Sequence, residues 1–261
     1  MIAYSSALVI GLIIGLTGSG GALLAIPSFV YLFHINPLLA TTYSLFMVST
    51  TSFIGVASKW KAQLVDWPMV WVFGMPSVVS LYLTRKWLLP LIPDPVVRIG
   101  DFSLEKPVGV LLLFATLMLG AGISMVRRKS STHAAAPKPL AKTLPLFLLE
   151  GIIIGSLGGL VGNGGGFLII PALIFLGNLS VQKAMGTTLF IVATNTFIGF
   201  LGSLPNPAIE WPFLLTFTAL ATLGLSLGLI ASNKVSGPQL QKGFGWLVIS
   251  MAVFILLQEL H

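Results

Sequence analysis

The stretch VGNGGGFLIIP, residues 161–171, lies in the middle of an apolar run that is otherwise fit to cross a membrane. Its four glycines and one asparagine work against a helix, since each glycine costs about 1 kcal/mol relative to alanine in a helix interior. The same pattern occurs earlier as TGSGGALLAIP, residues 17–27. Two breaks of one design, each ending in a proline, point to a feature of the fold rather than to a local defect.

The rest of the chain is the background against which the breaks stand out. Of 261 residues 56% are hydrophobic and 8% charged. A soluble domain carries about 25% charged residues, so the composition reads as a multi-pass membrane protein. Apolar stretches run over 5–33, 38–58, 67–90, 106–126, 144–177, 184–204, 211–232 and 240–258. Most are long enough for a hydrocarbon core, which needs about 20 residues. The N-terminus lacks a basic leader region and its apolar run continues to Phe33, so it reads as a retained segment rather than a signal peptide. The net charge of +7 fits basic cytoplasmic loops better than nucleic-acid binding.

Sliding the chain against itself by 144 residues aligns 11–70 with 155–214 without a gap, and 20 of those 60 pairs are identical. Gly15, Gly18, Gly20, Gly21 and Pro27 fall on Gly159, Gly162, Gly164, Gly165 and Pro171, and Trp67-Pro68 falls on Trp211-Pro212. The chain therefore divides into a first membrane repeat at 1–126, a basic linker at 127–143 and a second repeat at 144–261. If each broken segment is re-entrant, each repeat crosses three times and the second is inverted. Ten of the 14 basic residues then fall on the side of the linker, namely Lys59, Lys61, Arg127, Arg128, Lys129, Lys138, Lys142, Lys183, Lys234 and Lys242. Arg85, Lys86, Arg98 and Lys106 fall on the other. That bias makes the linker side cytoplasmic. The expected fold is all-α and polytopic, with two inverted repeats, each a glycine-broken first segment followed by three transmembrane helices.

Duplicated membrane folds of this kind are built around a site at the repeat interface. A broken helix in lipid exposes N–H and C=O groups that only protein or water can satisfy. The half-helices after the breaks would point their N-termini inward, and such termini attract anions. The expected anion cradle comprises Gly18, Ser19, Gly20 and Gly21 in one repeat and Gly162, Asn163, Gly164, Gly165 and Gly166 in the other. The polar patches of the following helices add Thr50, Thr51, Thr194 and Asn195. Glu150 is the candidate for proton coupling, with snorkelling to the interface as its plainer role. Asp66 and Glu210 read as helix-start caps, and Arg85 and Lys86 as an interfacial anchor. The absence of cysteine excludes thiolate chemistry, and no metal or nucleophile pattern points to an enzyme or a cofactor.

The repeated G-x-x-G-x-G-G…P pattern around a basic linker resembles the TauE/SafE family, also called the sulfite exporter or DUF81 family. Gly15 to Pro27 and Gly159 to Pro171 carry the resemblance, with Gly-Ser-Gly-Gly-Ala in the first copy where the second has Gly-Asn-Gly-Gly-Gly. The resemblance implies secondary transport of a small sulfur-containing anion in a bacterial inner membrane. A non-sulfur organic acid is the alternative substrate.

Overall fold

The computed structural model describes residues 2–18, 22–95, 97–99, 102–127, 140–162, 164–175, 177–204, 208–232, 235 and 237–259. Ser19, Gly20, Gly21, Asn163 and most of the linker lie outside the described residues. Ten helices account for nearly all the rest: α1 Ile2–Thr17, α2 Ala22–Leu32, α3 Pro37–Lys61, α4 Trp67–Leu91, α5 Lys106–Arg127, α6 Leu140–Val161, α7 Gly166–Phe175, α8 Val181–Leu201, α9 Trp211–Ser232 and α10 Gly237–Glu259. Between α4 and α5 a hairpin pairs Val97–Ile99 with Phe102–Leu104. Among the described residues seven helices are long and apolar enough to cross a membrane, while α1 and α2 are shorter apolar helices.

The apolar runs 5–33 and 144–177 each fold as two helices separated at the glycine motif. The helices that follow begin in matching register. Asn36 caps α3 by accepting from the Leu38 N–H at 3.0 Å, and Ser180 caps α8, 144 residues on, by accepting from the Lys183 N–H at 3.4 Å. Asp66 caps α4 by accepting from the Met69 N–H at 3.2 Å, the role its place before Trp67-Pro68 suggests. The backbone N–H groups of these acidic residues are satisfied across the chain. Asp66 donates to the Thr187 hydroxyl at 2.9 Å, and Glu210 to the Tyr43 hydroxyl at 2.7 Å.

Small residues set the packing. Gly11 abuts Ala221, and Gly15 abuts Leu225 and Gly228, so α1 and α9 run parallel. Gly151, Gly155 and Gly159 abut Phe73, Ser77 and Leu81 in turn, so α6 and α4 also run parallel. The long central pair α3 and α8 runs antiparallel, with Phe46 on Phe200 at 5.2 Å between ring centroids and Gly55 on Leu189. The α5–α10 pair is antiparallel as well, with Gly122 on Ile249 and Gly245 on Val126. The centre is filled by Phe29, Tyr43, Phe213 and Phe217, while Trp71, Leu223 and Ile230 point outward onto the surface a bilayer would cover.

A side chain at Gly224 would collide with the Leu8 carbonyl, so Gly224→Val pushes α1 off α9. The expected loss is about 1–3 kcal/mol or more, read as a lower melting temperature of the purified protein. Gly120→Ala and Gly243→Ala, with nothing within 4 Å, should melt like the parent.

Candidate substrate site at the helix breaks

The second break is a turn that only glycine adopts easily. Gly162, Gly164 and Gly165 have φ of +78°, +64° and +74°, and Gly18 in the first break has +88°. Space makes the same demand, since a Cβ on Gly162 would collide with Thr41, on Gly164 with Thr196 and on Gly18 with Met185. Thr41 begins α3 and Met185 begins α8, and these helices are antiparallel. Gly18 and Gly162 therefore sit at opposite ends of the interface. These two glycines do not face each other as a symmetric cradle would require; in the second break Gly164 lies against Thr196 and Val192 of α8, and Gly165 against Ile154 of α6.

The backbone of the turn is handed to its neighbours. The Gly162 N–H donates to the Gly158 carbonyl at 2.9 Å and closes α6. The Leu168 and Ile169 N–H groups both donate to the Gly165 carbonyl and open α7. The Gly164 carbonyl accepts from Asn195 Nδ2 at 3.2 Å, and the same amide donates to Ser77 Oγ at 2.7 Å. Asn195 is fully buried, so one amide joins α8, α4 and the break. Its Oδ1 is buried with no partner among the described residues, as are the hydroxyls of Ser44, Ser52 and Thr188. Polar atoms left open in a buried site are candidates for binding a ligand.

The other sequence-derived candidates divide. Thr51 donates to the carbonyls of Met47 at 2.8 Å and Val48 at 3.1 Å, Thr50 to Phe46 at 3.0 Å, and Thr194 to Phe190 and Ile191. Their protons are spent on their own helices. Gly166 is the first residue of α7. Glu150 lies three turns before the break on α6, half-buried, with Oε2 unpartnered among the described residues. It is not part of the glycine turn.

Arg85 corrects the reading of an interfacial anchor. It lies six residues inside α4, is 5% exposed, and points into the protein, whereas its neighbour Lys86 is exposed and donates to Tyr82 Oη at 2.9 Å. Arg85 Nη2 donates to Thr41 Oγ1 at 2.6 Å and Thr42 Oγ1 at 2.7 Å, and Nε donates to Ser203 Oγ at 2.7 Å. Nη1 reaches the Gly159 carbonyl at 3.4 Å. The signal in the sequence is the apolar run WLLPL, residues 87–91, which carries the helix on past the charged pair. Among the described residues no group of three or more acidic or histidine side chains could hold a metal.

Residues 3–255 match the sulfite exporter TauE/SafE family. The chain belongs to the TauE/SafE family. It is 29% identical over 252 residues to a probable membrane transporter protein of Xylella fastidiosa strain 9a5c, covering 95% of this chain and 91% of that one. It is 24% identical over 249 residues to the probable membrane transporter protein YunE of Bacillus subtilis, covering 87% and 88%. It is 25% identical over 272 residues to a probable membrane transporter protein of Haemophilus influenzae, covering 95% and 94%. No solved structure matches the chain. These are membrane transporters, not enzymes, and this TauE/SafE chain is a multi-pass membrane transporter.

Asn195→Ala leaves the Gly164 carbonyl and the Ser77 hydroxyl without their donor. The expected cost is about 1–3 kcal/mol, read as a fall in melting temperature, which Asn195→Gln should partly restore.

Proposed function

We propose that this TauE/SafE protein is a secondary transporter of a small anion, an organosulfonate or sulfur oxyanion, working by alternating access at the interface of two inverted repeats. The observation that carries this reading is the Gly162–Gly165 turn. It is buried, lies against Asn195, and delivers the N-terminus of α7 to the protein interior. The first turn of a helix has free N–H groups and a partial positive charge, which suit an anion. The sulfur class rests on the family's description as a sulfite exporter.

Helix direction supports the inverted arrangement. The repeats at 1–126 and 144–261 make α3 the counterpart of α8 and α5 that of α10, and both pairs run antiparallel. The parallel course of α1 with α9, and of α4 with α6, is what re-entrant α1–α2 and α6–α7 hairpins require. On this topology ten basic residues flank the linker side, and the burial of Arg85 leaves only Lys86, Arg98 and Lys106 at the other surface. That charge bias supports a linker on the cytoplasmic side of a bacterial inner membrane. The proposed substrate-binding residues are spread along the path from one end to the other: Gly18, Ser19, Gly20 and Gly21 of one break, Gly162, Asn163, Gly164, Gly165 and Gly166 of the other, and Thr50, Thr51, Thr194 and Asn195. Glu150, a carboxylate on a membrane helix with an unpartnered oxygen, is the group through which a coupling proton would act.

The test is a melting-temperature screen of the purified protein against sulfite, thiosulfate, taurine, isethionate, sulfoacetate and lactate. A ligand at 100 times its Kd stabilises by about 2.7 kcal/mol, so a sulfur anion should raise the melting temperature by several degrees and be taken up by proteoliposomes. Stabilisation by lactate alone would replace the sulfur class with carboxylates, and no response to any anion would sink the reading.

A further inference from the structure

We propose that Arg85 is the counter-charge of the transported anion, with the Nη1 edge of its guanidinium forming an oxyanion site beside the α6–α7 break. This rests on the anion-transporter reading and adds to it a residue and a place. The guanidinium has five N–H donors. Four are used, all on neutral oxygens: Thr41, Thr42, Ser203 and the Gly159 carbonyl. A second Nη1 hydrogen has no acceptor among the described residues, and the one Nη1 bond that is made is the longest of the four at 3.4 Å.

The charge is the decisive point. Neutral acceptors satisfy hydrogens but leave the positive charge uncompensated, which is costly within a membrane segment. A structural clamp at this depth is expected to pair with a carboxylate, and among the described residues no partner of Arg85 carries a charge. The surrounding hydroxyls are committed as acceptors. Thr41 and Thr42 donate their protons to the Leu38 carbonyl at 2.7 and 3.3 Å, and Ser203 donates to Gly199 at 3.1 Å. They therefore hold the Nε and Nη2 side of the fork in a fixed orientation and leave the Nη1 side for another acceptor. That side faces the last turn of α6, three residues before Gly162, which itself lies against Thr41.

A planar or tetrahedral oxyanion headgroup is what an arginine fork recognises best. Sulfite, a sulfonate or a carboxylate would take the open Nη1 hydrogen and displace the weak contact to Gly159. The equivalent positions of the second repeat carry no cation. The positions 144 residues from Thr41, Thr42 and Arg85 are Met185, Gly186 and Leu229. The cation therefore serves one end of the path only.

The experiment measures melting temperature and proteoliposome uptake against sodium sulfite and taurine for the wild type, Arg85→Gln and Arg85→Lys. The expected result is a stabilising shift in the wild type and at least a tenfold weaker response in Arg85→Gln. Should Arg85→Gln not survive solubilisation, Arg85→Lys decides, because it keeps the charge and loses the fork; its affinity should fall about tenfold. An anion-induced shift and uptake equal to wild type in Arg85→Gln, or in Arg85→Lys where that variant decides, would overturn the role of Arg85 and leave the transporter reading standing. No response of the wild type to any anion would overturn both.

Discussion

A helix that stops inside a membrane protein must place its freed peptide groups somewhere other than lipid. At the second break the Asn195 amide meets part of that requirement, taking the Gly164 carbonyl and tying it to Ser77. Much of the architecture follows from this need. The turn must be buried, so α3 and α8 are drawn in around it as the most enclosed of the long helices. It must also be narrow, so its residues are glycines with positive φ, packed so closely that even a methyl group would collide with Thr41 or Thr196.

The same economy of side-chain volume joins the two halves of the chain. α1 lies on α9 and α6 on α4 through glycines that meet backbone rather than side chains. In a bilayer, helix association depends on close van der Waals approach rather than on the hydrophobic effect, and these glycine contacts supply it. Each broken helix thus rests on a long helix of the other half. On the proposed alternating-access reading, movement that opens the path on one side would carry a hairpin and its partner helix together.

Much of this was legible in the sequence. Glycine and proline in register marked both breaks, and Pro37 and Val181, 144 residues apart, begin α3 and α8. The acid-Trp-Pro motif marked the start of α4, and Asp66 does cap it. Other features depend on tertiary placement that a linear pattern does not encode. Arg85 and Lys86 are adjacent and chemically alike, yet a 100° step around the helix buries one and exposes the other. Thr51 and Asn195 occupy equivalent positions, yet the hydroxyl reaches only its own helix while the longer amide reaches across to the break. The offset of Gly18 from Gly162 along the interface follows from the antiparallel course of α3 and α8, and segment lengths alone could not have given it.

The central claim is that the buried turn beside Asn195 faces a path that anions travel. The chain has no cysteine, so Asn195→Cys introduces a single thiol. Its reaction with a charged, membrane-impermeant thiol reagent in proteoliposomes, with and without sulfite, is the most direct measurement. The account predicts modification from water that sulfite slows. A thiol that never reacts from either side, or that reacts at a rate indifferent to every anion offered, would contradict it.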